Sequence, residues 1–458
     1  MPGPVLFQID PIPGETLMSL VTRVVARNVL PSSHVILEQV GAPHAQNPTA
    51  AIVPGLNEPE LARILRLPLA EVSGRRHAQT ALNGFVRSFG AYVRADELVF
   101  RRRRFSPNAL RASPHIRAIW SHKMVPCDTG AWEYLADSCR CGTIQRWRAA
   151  YHLNRCDRCC RHLADGRADM VDPSLRDGLT FLIGLIDPDD DNRQAARAQL
   201  PESLRDWDGG LVFELALSLV ALTPDPYQLR RGHQPPDSDR LLFTQALSQT
   251  ADLVRQWPES LIPALEAAVS DHSRSRPNVR YPGISDYIPG LDSEVMPTIV
   301  REEIGRALTP ISSAAGDMPD HLIAMMDAVD LSGWPLGTLA EGRRAGHLKT
   351  RICFRANRVF PALERAEVLR LREFRDNRQS AEAVSGSLHL PQYAIPLLAE
   401  AGLMTIESHP FLVSLFDAHQ LHRRELVNLL ADLQAARVAP DAIDDPVPLH
   451  RAARAVGC

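Results

Sequence analysis

Lysine is almost missing from this chain: of 51 basic residues only Lys123 and Lys349 are lysines. The arginine bias fits coding composition and carries little functional weight. Aromatic residues are also scarce, at 6%. No stretch reaches the roughly 18 uninterrupted apolar residues of a membrane span, so no membrane segment is expected. The apolar run Phe213–Leu222 contains Glu214 and is followed by Pro224, which suits a buried helix. Met1–Asp10 lacks a basic region followed by an apolar one, so no secretory signal is expected. The expected compartment is therefore the reducing cytoplasm, where clustered thiols more often bind metal than form disulfides. No Gly-x-x-x-x-Gly-Lys-Ser/Thr loop is present, which argues against an intrinsic NTPase. A Gly-x-Ser-x-Gly elbow is missing too.

What is present describes a folded, helix-forming chain. Its 458 residues correspond to about three domains. Hydrophobic residues at 45% and charged residues at 23% are ordinary values. The 36 prolines and 26 glycines predict many short helices with frequent stops. The net charge of -3 conceals a strong partition. Residues 1–100 are balanced, with 8 basic and 8 acidic side chains. Residues 101–170 hold 14 basic and 6 acidic, residues 171–330 hold 13 and 26, and residues 331–458 hold 16 and 14. The near-neutral total excludes a uniformly basic coat protein and leaves room for localised nucleic-acid surfaces.

The expected fold class is mainly α and multi-domain: an N-terminal helical segment with a small zinc-ribbon module, then helical domains. The expected divisions are 1–165, with the ribbon at about 120–165, then an acidic helical domain at 171–330 and a C-terminal helical domain at 331–458. Leu17, Leu20, Val21, Val24 and Val25 follow the spacing of an amphipathic helix. Glu15 is expected in its first turn, where a carboxylate complements the helix dipole. Segments 175–186, 211–222, 240–256, 259–271, 293–308, 320–331, 359–376, 411–419 and 421–437 also read as helices. Pro277–Pro289 reads as a long irregular connection. The few expected strands are short and lie around the cysteines.

Six of the eight cysteines fall between 127 and 160. The core is Cys139-Arg-Cys141-Gly, then, beyond an intervening loop, Cys156-Asp-Arg-Cys159. Zinc takes four tetrahedral ligands with sulfur at about 2.3 Å, and two thiol pairs on tight turns across a hairpin supply them. Gly142 suits a knuckle that requires positive φ. Four thiolates close the coordination shell, so one structural zinc is expected, not a catalytic one. Reduced core cysteines are the alternative. Cys160 and His162 are register alternatives to Cys159, and Cys127 stands alone.

Two blocks of residues resemble the TniQ family of transposition targeting proteins. The first is Pro11-Ile-Pro-Gly-Glu-Thr-Leu-Met-Ser-Leu20 with Thr22-Arg23, similar to the family's Pro-x-Pro-x-Glu-x-Leu-x-Ser-Trp-x-x-Arg opening. The second runs from Trp120-Ser-His-Lys-Met-Val-Pro-Cys127 through Leu135-Ala-Asp-Ser-Cys139-Arg-Cys141-Gly142 and Arg146-Trp147 to Cys156–Cys159. Together they cover about residues 5–165. Leu20 stands where the family often has Trp. Members often carry a first finger ending in Cys-Pro-x-His, whereas this chain reads Cys127-Asp-Thr-Gly. The resemblance thus implies one zinc site, with Cys127 packed in the core. It also implies a non-enzymatic adaptor that recognises target DNA or a Cascade-type CRISPR RNA-guided complex. Such an adaptor recruits the AAA+ transposition ATPase (TnsC- or TniB-like), and homodimerisation through C-terminal helices is a further implication. A zinc-containing DNA-binding transcription regulator is the alternative.

Two features bear on nucleic acid. Arg101, Arg102, Arg103 and Arg104 form a run in the most basic segment, and guanidinium groups bind phosphates bidentately. Arg146 and Arg148 are expected to extend that phosphate-facing surface, as could Arg111, Arg117 and Arg140; a solvated turn is the alternative. Residues 379–404 have a helix-turn-helix look. Ser380–Val384 would end the supporting helix, Gly386–Leu390 would turn, and Pro391–Ala401 would form the second helix before Gly402. Leu388, Ile395, Leu398 and Leu403 would supply its apolar face. Pro396 conflicts with a helix interior, and an ordinary helical hairpin is the alternative.

Overall fold

The computed structural model describes residues 3–42, 55–147, 150–270, 284–291, 296–311, 319–355, 358–416 and 418–435. It is helix-rich, with 49% helix and 13% strand. The chain divides into two compact units: Met1–Ser312 with Phe354–Val359, and Ser313–Cys353 with Phe360–Cys458. The 165/171 division expected from charge falls inside the first unit, and the 330/331 division lies within the second.

The first unit opens with α1 (Leu17–Arg27), whose Leu17, Leu20, Val21, Val24 and Val25 are all buried as their spacing requires. Thr16 caps it by accepting from the Ser19 N–H. Glu15 precedes that cap instead of lying in the first turn. It is buried and accepts from the Ile12 N–H at 2.8 Å, Ser19 Oγ at 3.1 Å and Arg23 Nη1 at 2.8 Å. Short helices α2 (His34–Leu37), α3 (Glu58–Leu65) and α4 (Leu69–Ser73) follow.

An antiparallel sheet comes next, of β1 (Ala78–Gln79), β2 (Phe85–Ser88) and β3 (Ala91–Arg94). Its register pairs Phe85 with Arg94 and Ser88 with Ala91. Phe89 and Gly90 both have positive φ, the signature of a tight hairpin turn whose twist matches the strands. The sheet was not expected, because its two longer strands are only four residues each. After it come α5 (Pro107–Ala112), the small ladder of β4 (Cys127–Asp128) and β5 (Glu133–Tyr134), and helices α6 (Arg176–Gly184) and α7 (Asp190–Arg197).

Helix α8 (Gly209–Leu219) is buried along its whole length. Its first turn lies against β3: the Tyr92 N–H donates to Asp208 Oδ1 at 2.9 Å. A Cβ on Gly210 would come within 1.7 Å of the Tyr92 carbonyl oxygen, so only glycine permits this approach. The unit ends with α9 (Arg240–Arg255), α10 (Leu261–Ser270), α11 (Ile284–Tyr287) and α12 (Thr298–Leu308). A buried polar network joins the first hundred residues to the acidic helices. Arg231 Nη1 lies 3.1 Å from Glu97 Oε1 and 3.2 Å from Glu214 Oε2, and His122 packs on the same Glu97. These contacts explain why charge does not divide the unit.

From residue 319 on, the chain forms β6 (Leu322–Ala324), α13 (Met325–Ser332), α14 (Leu336–Arg344), β7 (Thr350–Arg355), β8 (Arg358–Glu364) and α15 (Arg365–Asn377), all counted with the second unit except Phe354–Val359. Strand β8 is the middle strand of three, paired antiparallel with β6 through Leu322↔Glu364 and Ala324↔Ala362. The segments 320–331 and 359–376, expected as helices throughout, therefore each begin as a strand. Their apolar residues satisfy both periods locally, and sheet pairing decides between them.

Further along lie β9 (Arg378–Ser380), α16 (Ala381–Leu388), α17 (Ala394–Glu400), α18 (Pro410–Leu415), β10 (Gln420–His422) and α19 (Arg423–Ala435). The segment 421–437 also starts as a strand, β10, paired with β9; residues 436–437 lie outside the described residues. Two helices do occupy 379–404, with shifted limits. Ser380 caps α16 through the Ala383 N–H, and His389 ends it at φ 55°. Helix α17 starts at Ala394, three residues later than expected. Pro396 thus falls in its first turn, where the N–H has no intrahelical acceptor, and the conflict with a helix interior disappears. Ile395 and Met404 are buried in the local core, with Leu388 and Leu398 packed against it. Leu403, expected on the apolar face, is exposed.

Candidate metal centre

Two tight turns present the thiols. In the first, the Cys139 N–H donates to the Thr143 carbonyl at 2.9 Å and the Gly142 N–H to the Cys139 carbonyl at 2.8 Å. Gly142 has φ +79°, as the knuckle spacing required. In the second, the Cys156 N–H donates to the Arg161 carbonyl at 2.9 Å and the Cys160 N–H to the Cys156 carbonyl at 3.2 Å. The Sγ atoms of Cys139, Cys141, Cys156 and Cys159 all lie within 4.8 Å of one another. Cys139 Sγ is 3.7 Å from Cys159 Sγ, and Cys141 Sγ is 3.7 Å from Cys156 Sγ.

Those separations suit a metal ion. A tetrahedron with metal–sulfur bonds of about 2.3 Å has sulfur–sulfur edges of about 3.8 Å. Four thiols this close cannot all ionise without a cation between them. Their surroundings already differ: burial pushes the Cys139 thiol up to about 12, while hydrogen bonding to Thr143 brings Cys141 down to about 6. At Cys156 the opposing push of burial is outweighed by N–H groups of Cys159, Arg158 and Gln145. All four protein ligands are thiols, so a bound ion would have a closed shell with no place for an activated water.

Cys160 is exposed at φ +57° and stands outside the four, as does exposed His162. The register alternatives therefore resolve to Cys159. Cys127 pairs with Tyr134 in the β4–β5 ladder, is buried, and has its thiol pushed up to about 12 by that burial. Among the described residues the four cysteines are the one such cluster.

The four-arginine run is not one surface, which corrects the expectation. Arg101 and Arg102 are exposed, and Arg102 pairs with Asp137 at 2.9 Å. Arg103 and Arg104 are buried. Arg103 pairs with Asp157 and donates to the His152 carbonyl at 3.0 Å and Gln145 Oε1 at 3.3 Å. Arg104 donates to the carbonyls of Trp120, His122 and Val125 at 3.2, 2.6 and 2.6 Å. Both are internal braces. Arg111 is exposed and donates to the Ala164 carbonyl, and Arg117 pairs with the buried Asp128 at 2.8 Å. Arg146 is exposed, and Arg148 lies outside the described residues.

Asp157 and Gln145 hold the centre together and were not singled out in the sequence. Asp157 accepts from Arg103 and, at 2.8 Å, from the Arg146 N–H. Gln145 accepts from the Asp157 N–H at 3.0 Å and donates to Cys156 Sγ at 3.4 Å. A carboxylate between two thiol ligands in a basic segment was the available signal for Asp157. Nothing local marked Gln145.

The Gly14–Ser19 segment is bonded to the chain just ahead of the cysteine module. The Thr16 N–H donates to the Ile116 carbonyl at 3.0 Å, the Ala118 N–H to the Gly14 carbonyl at 2.7 Å, and the Ile116 N–H to Ser19 Oγ at 3.0 Å. Trp120 Nε1 in turn donates to Asp128 Oδ1 at 2.9 Å. No protein-family model and no curated protein sequence matches the chain.

Proposed function

We propose that the chain is a TniQ-like target-selection adaptor for transposition, without enzymatic activity of its own. In this reading it binds target DNA or an RNA-guided CRISPR complex and recruits an AAA+ transposition ATPase. The observation that carries it is the union of the two motif blocks. Gly14, Thr16 and Ser19 of the first block hydrogen-bond to Ile116 and Ala118, just ahead of Trp120, where the second block begins. Residues far apart in sequence, and recognised separately, thus belong to one module. The metal in this reading is one zinc on Cys139, Cys141, Cys156 and Cys159, whose 3.7 Å sulfur separations suit zinc–thiolate bonds.

The second reading is a zinc-containing DNA-binding transcription regulator. The short α16–α17 pair, with its capped start and tight turn, favours it. Co-purification with the AAA+ ATPase, with and without DNA, decides between the two. Capture of the ATPase is expected. Absence of capture in both conditions overturns the adaptor reading, and DNA binding alone would then leave the regulator.

A further inference from the structure

We propose that the two cysteine turns form a binding surface for the phosphodiester backbone of a nucleic-acid duplex, using Arg140, Arg146, Arg155, Arg158 and Arg161. This refines the nucleic-acid half of the reading above and moves the phosphate contact away from Arg103 and Arg104.

Eight arginines of this segment separate by whether a carboxylate meets them. Arg102, Arg103 and Arg117 each have a carboxylate partner: Asp137, Asp157 and Asp128. Arg140, Arg146, Arg155, Arg158 and Arg161 are exposed. Among the described residues none of the five pairs with a carboxylate; Arg155 donates only to the Cys160 carbonyl, at 3.1 Å. Their backbones lie close together because the metal ligands do. Arg140 sits between Cys139 and Cys141, Arg158 between Cys156 and Cys159, and the Arg146 N–H reaches Asp157. Between Cys139 and His162 the only acidic residue is Asp157, and Arg103 already engages it.

A competing role for these arginines is to balance the metal site. Four thiolates around a divalent zinc carry a formal charge of about −2. Five guanidinium groups exceed this by about three positive charges, and such an excess of exposed charge around two adjacent turns attracts a polyanion. Guanidinium forks match phosphate oxygens, and each neutralised phosphate releases counterions, so the contact is read in salt dependence.

The test measures affinity of the full chain for a short DNA duplex and its RNA counterpart across a KCl series. The variant Arg140→Gln/Arg155→Gln/Arg158→Gln/Arg161→Gln is expected to flatten the log–log slope by about 1 for each lost phosphate contact. Its affinity at low salt should fall roughly tenfold or more. Exchanging Arg205 and Arg230 for Gln, exposed in the acidic segment, should leave the slope unchanged. An unchanged slope in the quadruple variant overturns the proposal. So does loss of zinc in that variant with no separate change in slope, since the arginines would then only balance the metal, and so does a change in self-association alone. The single variants Arg155→Gln and Arg161→Gln keep the test valid if the quadruple one misfolds. Flattening on DNA alone or RNA alone identifies the source of the phosphates. ATPase capture is measured in parallel, so failure of the adaptor reading and failure of this surface are told apart.

Discussion

Arg103 and Arg158 lie in one small module and have opposite surroundings. Arg103 is 1% exposed and its guanidinium is filled by Asp157, a glutamine oxygen and backbone carbonyls. Arg158 is exposed, and among the described residues only its backbone N–H is engaged, at 3.4 Å from Cys156 Sγ. The difference is not in the residue or in the local charge. It lies in whether acceptors from distant segments converge on the side chain. Arg103 therefore acts as a brace, whereas Arg158 has no carboxylate partner among the described residues.

The largest expected effect removes the centre around which both are arranged. Replacing Cys156 and Cys159 with Ser should abolish bound metal. It should also destabilise the module by several kcal/mol, because metal-binding energy is folding energy in such sites. Metal content and thermal denaturation check this together; unchanged stability with no metal would leave the four thiols as ordinary core residues.

The arginine comparison itself comes next. Arg103→Ala leaves Asp157 without its partner and should cost about 3–5 kcal/mol. Arg158→Ala should stay within about 0.5 kcal/mol, as exposed substitutions do. Denaturant midpoints for the two variants sharpen the contrast, and equal midpoints would break it.

A smaller effect carries the same contrast to histidine. Burial brings His77 and His115 down to about 4 and His122 down to about 3, whereas His152 and His162 are exposed. A depressed folded-state pKa means the unfolded chain takes up protons first. This stabilisation is therefore present above pH 6.5 and is lost as pH falls towards 4 and 3. Burial acts oppositely on Glu214, whose carboxyl is pushed up to about 8. That group removes stability as pH rises from 4.5 to 8. Stability should thus fall on the acid side through the histidines, by about 1.4 kcal/mol per pH unit for each proton. It should fall on the alkaline side through Glu214. Glu214→Gln should remove the loss between pH 4.5 and 8 and leave the limb below 4.5 unchanged, and His122→Gln should soften the limb between pH 6.5 and 3 and leave that above 6.5 unchanged.

Much of the candidate centre was legible in the sequence. Thiol spacing in Cys139-Arg-Cys141-Gly and Cys156-Asp-Arg-Cys159 already restricted the chain to two turns, and Gly142 had to be left-handed at one of them. Helix α1 was equally plain, because five apolar residues on one face have a single economical burial. The β2–β3 hairpin was not, since strands of four residues carry too little alternation to register. Segment 359–376 read as helix because apolar spacing at its start fits both periods, and the β6–β8 pairing was invisible locally.

The sequence by itself determined which ligand atoms were available, how far apart along the chain they lay, and how charge was shared among segments. Tertiary structure alone decided which arginines turned inward, where the compact units divided, and that Gly210 had to be glycine. The physical reason is the same in each case. Spacing and composition act along the chain, whereas burial of a charge or a close backbone approach depends on partners from remote segments: Asp157 for Arg103, Tyr92 for Gly210, and Glu97 and Glu214 for Arg231.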